Sequence, residues 1–188
     1  NQHNAKSATA PQYYTAIAES FDAAAIIETH CRGDKMYKCI DKLRLAGWLT
    51  PASPAEPSTK SETGTMAGVM MMTRSHIRAS HPANHDNSML NIGKPGYCIT
   101  PDSNFTYNTI AMRGMPFLSI VAYFKDSIGF TGPNIELVAK IGMVRTHSVT
   151  KQALLMADFN MSSQQVRDSP IPQLLGMVVI DVGLKGTC

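Results

Sequence analysis

The chain alternates between short unbroken apolar runs and stretches in which apolar residues recur every three or four positions. That mixture predicts strands interleaved with amphipathic helices. Ala23–Ile27 is an apolar run closed by Glu28, the pattern of a buried strand. Over residues 34–46, Met36, Ile40 and Leu43 share one helical face, with Lys35, Lys38, Lys42 and Arg44 mostly elsewhere; Gly47 follows as a stop. A second buried strand is predicted over 66–73. Phe105–Met112 and residues 116–124 predict two strands joined by an Arg113-Gly114 turn. Residues 133–145 repeat the helical spacing through Leu137, Val138, Ile141 and Val144. A strand over 153–157 runs into Asp158-Phe159-Asn160, and a short helix over 162–167 is capped by Ser162. A last strand is expected over 177–182, and a helix over 12–19, with Pro11 at or before its first turn.

Between these elements, residues 51–65 are rich in Pro, Ser, Thr and Glu and predict a surface loop. Residues 79–104 carry Asn, Pro and Gly and are expected to be mostly loop, the least ordered part. The hairpin at 105–124 argues against a purely parallel sheet. The expected architecture is a sheet-based α/β domain with helices outside, and 188 residues suggest that 1–188 is one domain.

Composition changes this picture little. Twelve methionines are many, and Met is an adaptable core filler, so a loosely specified core is expected. The net charge of +3 is too small to mark a nucleic-acid surface by itself. The nearest basic cluster holds Arg74, His76 and Arg78, with His81 and His85 following, and reads as a polar loop after a strand. Cys31, Cys39, Cys98 and Cys188 show neither CxxC nor zinc-ligand spacing and suit free thiols in a reducing compartment. No apolar run is long enough to span a membrane. No targeting signal is visible, which leaves localisation open within an intracellular setting, the nucleus included. The chain starts at Asn1 without Met and stops at Cys188 soon after a strand-like run, so both ends are expected to be cuts.

Two places concentrate polar ligand types at the end of an apolar strand: Glu28-Thr29-His30 and Asp158-Phe159-Asn160. Ligands of open α/β sheets bind beyond the carboxyl ends of strands. In extended chain Asp158 and Asn160 project to one side and Phe159 to the other, into the core. Carboxylates and a carboxamide are hard oxygen donors that suit Mg²⁺ or Mn²⁺ rather than zinc. Taken alone, each tripeptide is more commonly ordinary strand-end capping, and Tyr123 alone is more commonly a core aromatic.

Glu28-Thr29-His30 resembles the Glu-Thr-His or Glu-Pro-x motif of the endonuclease/exonuclease/phosphatase superfamily, and is most similar to the endonuclease domains of LINE-type retrotransposons. Met156-Ala157-Asp158-Phe159-Asn160-Met161 resembles its Gly-Asp-Phe-Asn motif. Asn1-Gln2-His3 resembles its first motif, an Asn ending the first strand. Ser119-Ile120-Val121-Ala122-Tyr123 is similar to the strand that delivers an active-site Tyr. Gly132-Pro133-Asn134 is similar to the opening of the helix before the Asp-Phe-Asn strand, and Ala67-Gly68-Val69 to the Gly-Gly-Val start of a central strand. These pieces stand in the superfamily's order along nearly the whole chain.

The resemblance implies a DNase I-like, two-sheet α/β sandwich, incomplete at its C-terminus, and Mg²⁺- or Mn²⁺-dependent hydrolysis of phosphodiesters, with DNA as partner of the intact parent. It implies that Glu28 holds the metal with Asn1 assisting, that Asp158 orients or deprotonates the attacking water, and that Asn160 and Tyr123 donate hydrogen bonds to phosphate oxygens. The departures are Ala157 and Ala67 where glycines are usual, and the lack of the final Asp and Ser-Asp-His segment. Asp181 comes too early for it, and His147 lies on the wrong side of the Asp-Phe-Asn motif, so no catalytic His is assigned. His30 is read as a neighbour of the metal ligand. Two other readings stay open: a non-catalytic mobile-element remnant, and a phosphoesterase acting on small phosphate esters.

Overall fold

The structure, a computed structural model, describes residues 21–58, 64–80, 97–100 and 104–180. The first elements are β1 (Ala23–Ile27), α1 (Gly33–Leu45), β2 (Trp48–Leu49), β3 (Ala52–Ser53), β4 (Glu56–Pro57), β5 (Thr65–Met66), β6 (Val69–Arg74) and β7 (Ala79–Ser80). They are followed by β8 (Phe105–Met112), β9 (Met115–Tyr123), α2 (Gly132–His147), β10 (Ala153–Asp158), α3 (Ser163–Asp168) and α4 (Ile171–Leu175). Asn1, the helix expected over 12–19, His81, His85, Asp181 and Cys188 lie outside the described residues.

Two sheets form. In the first, β6 is central, antiparallel to β1 on one edge and to β2 and then β3 on the other. In the second the order is β10-β9-β8-β7. The β8–β9 hairpin turns on Arg113 and Gly114, both at positive φ (50° and 80°), as a two-residue hairpin turn requires. β10 lies parallel to β9, and a parallel neighbour needs a crossover, which α2 supplies.

Strand alternation sorts the core into three layers. Met70 and Met72 of β6 face α1, where Met36, Cys39, Ile40 and Leu43 form the buried stripe. Leu118, Ile120 and Ala122 of β9 face Leu137, Val138 and Ile141 of α2 and Ile171 and Leu175 of α4. Between the sheets, Val69 and Met71 of β6 meet Val121 and Tyr123 of β9, with Ile27 and Met156 packed against them. The result is helix, sheet, sheet, helix, and β6, apolar on both faces, reads as a continuous run. The methionines of β6 are fully buried.

Two expectations are corrected. Over the described residues 51–58 and 64–65, the segment is not a surface loop. Ala52, Ser53 and Ala55 are buried, and Glu56–Pro57 pairs with Thr65–Met66. Small side chains let this segment lie flat on β6, and its backbone is satisfied from distant chain: Met71 N–H donates to Pro51 O, and Ala52 N–H to Cys98 O. The strand expected over 177–182 does not form over 177–180, where Val178 and Ile180 are exposed. An unbroken apolar run suits a buried strand but does not supply the partner strand that closes its hydrogen bonds.

Candidate active site at the strand ends

β1 stops at Ile27 because Glu28 turns into the left-handed region, φ 58°. The next two residues stay tied to the approach of β6: Thr29 N–H donates to Gly68 O at 2.9 Å and His30 N–H to Ala67 O at 3.2 Å. Thr29 is buried and needs Gly68 to lack a side chain. A Cβ there would sit 2.6 Å from Thr29 Oγ1 and 3.1 Å from Ala55 N, and Gly68 also holds φ 83°. His30 Nδ1 donates to Thr65 O (2.7 Å) and Thr65 Oγ1 donates to His30 O (3.0 Å), which ties that ring to the β4–β5 ribbon. Glu28, His30 and Ala67 all sit at positive φ. Strained non-glycine backbone of this kind clusters where a site is held in place by its surroundings.

The second strand end is built by β9 and β10. Asp158 is the parallel register partner of Tyr123, and Phe124 N–H donates to Asp158 O at 2.9 Å. Asp158 shares the inter-sheet side of β10 with Met156, two residues earlier. Phe159 stacks on Phe124 at 4.8 Å in the outer core, as the alternation predicted. The pleat does not extend to Asn160, which turns to φ 48°. Asn160 is instead folded back: its N–H donates to Asp158 Oδ1 (3.0 Å) and its Nδ2 to Phe124 O (2.7 Å). Ala157 lies in regular strand opposite Ala122, so no left-handed glycine is needed there.

The two strand ends meet at the Tyr123 side chain. β1 packs against both β9 and β10. Burial is the largest cause that pushes the Tyr123 hydroxyl up to about 12; next come the carboxylates of Glu28 and Asp158, with Asp126 adding a little. Hydrogen bonding from the Asn160 carboxamide pulls the other way. The charges of Glu28 and Asp158 are thus felt at one phenol, which stays protonated and able to donate at neutral pH. Asp126 had no signal in the sequence; it arrives on the loop after β9. That loop is clamped by buried Asn134, which accepts from Lys125 N–H (2.8 Å) and donates to Lys125 O (3.1 Å) and Gly129 O (2.7 Å). Lys125 also pairs with Glu56 of β4 at 3.4 Å.

Among the described residues no group of three or more His, Cys, Asp and Glu side chains gathers closely enough to enclose a metal ion. The donors present are the Glu28 and Asp158 carboxylates. So sparse a hard-oxygen set fits Mg²⁺ or Mn²⁺, ions satisfied by one or two carboxylates together with water and substrate phosphate, and does not fit zinc. Asn1 lies outside the described residues. His76 stands beside Asp22, and His147 Nδ1 donates to Met143 O, so neither is engaged at Tyr123.

No protein-family model matches the chain, and no curated protein sequence matches it significantly. Solved structures do. The endonuclease domain of TRAS1, a telomere-specific non-LTR retrotransposon, superposes with a TM-score of 0.50 at 17% identity over 91% of this chain. The human Nocturnin catalytic domain with bound sulfate anion superposes with a TM-score of 0.51 at 13% identity over 81%. The chain spans 63% and 56% of those two structures. These likenesses show the fold, a DNase I-like α/β fold, which is the one the sequence motifs implied.

Proposed function

We propose that this chain carries the core of a divalent-metal-dependent phosphodiesterase of the DNA endonuclease type. The observation that supports this reading best is that the β1, β9 and β10 ends carrying Glu28, Tyr123 and Asp158 pack together, close enough for both carboxylates to act on the Tyr123 phenol. Two carboxylates and a phenol held protonated form a site for a phosphate and a water. In this reading Glu28 holds Mg²⁺ or Mn²⁺, and Asn1 is the assisting ligand that the motif resemblance implies. The metal, when bound, neutralises charge on the phosphate. Asp158 orients the attacking water and accepts its proton; its carboxylate is braced by the Asn160 N–H. Tyr123 donates to a non-bridging phosphate oxygen, where charge grows as water attacks. Asn160 acts mainly by holding: its Nδ2 is directed at Phe124 O and braces the phenol. The TRAS1 likeness, a retrotransposon endonuclease, supports DNA over small phosphate esters as substrate.

Among the described residues no histidine is assigned as a general acid, and groups that act as a unit lose several orders of magnitude when one is not in place. Nicking by this chain is therefore expected to be weak. The test has two readouts. Mn²⁺ titration followed by electron paramagnetic resonance should show weak binding that Glu28→Gln removes. Supercoiled-plasmid nicking in Mg²⁺, where detected, should vanish in both Glu28→Gln and Asp158→Asn. Mn²⁺ binding unchanged in Glu28→Gln, or nicking untouched by both substitutions, would overturn the reading. A panel of small phosphate esters, hydrolysed in preference to DNA, would redirect it to the alternative substrate class.

A further inference from the structure

We propose that Cys31 and Cys39 are a reversible redox pair, a dithiol that an oxidant of the hydroperoxide class closes into an intramolecular disulfide tying the loop after β1 to α1. The two cysteines are eight positions apart on different elements, yet Cys31 packs against the buried cluster that contains Cys39, and each thiol acts on the other's ionisation. Cys39 is buried on the inward face of α1 with Met36, Ile40 and Leu43, and half-buried Cys31 packs against that cluster. All three described cysteines, Cys31, Cys39 and Cys98, are reduced.

The surroundings divide the labour between the two sulfurs. Cys31 immediately precedes Arg32, the N-cap of α1, so the positive end of the helix lies next to it. The hydrogen bond from Cys39 and, more weakly, the Lys35 ammonium hold the Cys31 thiol below its ordinary value, although burial opposes them. The same hydrogen bond, with burial, pushes Cys39 far up. Cys31, the more exposed of the two and next to the N-terminus of α1, is the attacking thiolate, and buried Cys39 the resolving thiol. The Cys31 thiolate attacks one peroxide oxygen, the O–O bond breaks, and sulfenic acid and water form. Cys39 Sγ then attacks the sulfenic sulfur and expels a second water. Two thiols lose two hydrogens and two electrons, and one hydrogen peroxide becomes two waters. Cys98 provides an internal comparison, because burial alone raises its thiol to about 11.

The bond would join Cys39 to the loop that carries Glu28 and whose Cys31 carbonyl accepts from Ala55 N–H. The proposal does not depend on the hydrolase reading. It is tested on the folded chain by adding stoichiometric hydrogen peroxide, alkylating the remaining thiols under denaturing conditions and mapping peptides by mass spectrometry. A Cys31–Cys39 cross-linked peptide should appear, with Cys98 alkylated, and should vanish on treatment with dithiothreitol. Cys31→Ser should slow loss of the Cys39 thiol at least tenfold. Cys39→Ser should leave Cys31 as a sulfenic acid that dimedone traps, in a variant whose circular dichroism is unchanged. Oxidation of Cys98 ahead of the pair, Cys31 bridged mainly to Cys98 or Cys188, or a cross-link that forms only in urea would overturn it.

Discussion

Asp158 stands opposite Tyr123 across the parallel β9–β10 pair, and its carboxylate, with that of Glu28 arriving from the other sheet, helps keep the Tyr123 phenol protonated up to about 12. Replacing either carboxylate removes a repulsion on the phenolate. Glu28→Gln should therefore lower the Tyr123 ionisation pH toward its ordinary value, read by ultraviolet difference titration or by the ¹³Cζ shift of that tyrosine. An unchanged titration would mean that Glu28 does not face the phenol.

The same phenol makes stability pH-dependent on the alkaline side. Its folded value is raised from the ordinary 10 to about 12. Over that window the unfolded chain has lost a proton that the folded chain keeps, so stability is present below about 10 and falls as pH rises toward 12. Tyr97 and Tyr107 are raised as well and act with the same sign. Tyr123→Phe should flatten part of the fall, measured by urea denaturation at pH values across the window. An equal slope in wild type and variant would remove Tyr123 from the account.

Gly68 is where the Glu28 loop and β6 approach most closely. Gly68→Ala adds a Cβ 2.6 Å from Thr29 Oγ1 at φ 83°. Left-handed strain and overpacking together should cost roughly 2–4 kcal/mol in chemical denaturation. Adding Thr29→Ala should recover only part of that, because Ala55 N still stands 3.1 Å away. Ala67→Gly behaves differently. Relief of strain at φ 57° is worth about 1–2 kcal/mol. It is offset by the buried methyl, ~0.8 kcal/mol, and by glycine's freedom in the unfolded chain, about 0.5–1 kcal/mol. The variant should stay within about 1 kcal/mol of wild type; a larger change in either direction would contradict this balance.

Asn134 is buried and serves three backbone groups of the loop that follows β9. Asn134→Leu keeps the volume but leaves Lys125 N–H, Lys125 O and Gly129 O without that partner. Lys125 is only half-buried, so water compensates in part, and a loss of roughly 2–4 kcal/mol is expected. Hydrogen exchange should speed up at the Lys125 amide in particular. Full protection of that amide in the variant would show that the clamp is not what holds the loop.

Ser162 caps α3 in a capping box: Gln165 N–H donates to its hydroxyl, and its own N–H donates to Gln165 Oε1. Ser162→Ala should cost about 1 kcal/mol by urea denaturation, and Ser162→Asp should cost much less, since Asp accepts the same bond. Equal losses in the two variants would argue against the cap.

Much of this was legible from local pattern. β1 falls on the predicted residues, α1 and α2 on their predicted faces, and the 113–114 turn where glycine permits it. The superfamily motifs foretold the DNase I-like fold, and the Asp-Phe-Asn alternation placed Phe159 in the core. Asn160 escaped the pattern because a backbone hydrogen bond to Asp158 Oδ1 folds it out of the strand. Residues 51–57 escaped because their burial depends on partners far along the chain, Cys98 and Met71 among them.

The sequence by itself determined β1, α1, α2, β10 and the β8–β9 hairpin, because helical and strand periods are properties of neighbouring residues and are written in the order of apolar and polar side chains. It also determined which polar residues stand at strand ends. Only the tertiary structure decided that the strand ends carrying Glu28, Tyr123 and Asp158 pack together, that Thr29 rests on Gly68, and that Cys31 packs against the cluster holding Cys39. Those pairings depend on the packing of one sheet on the other and of α1 on its sheet. Packing of that kind is fixed by side-chain volumes and backbone approach between residues far apart in the chain, which no local period records.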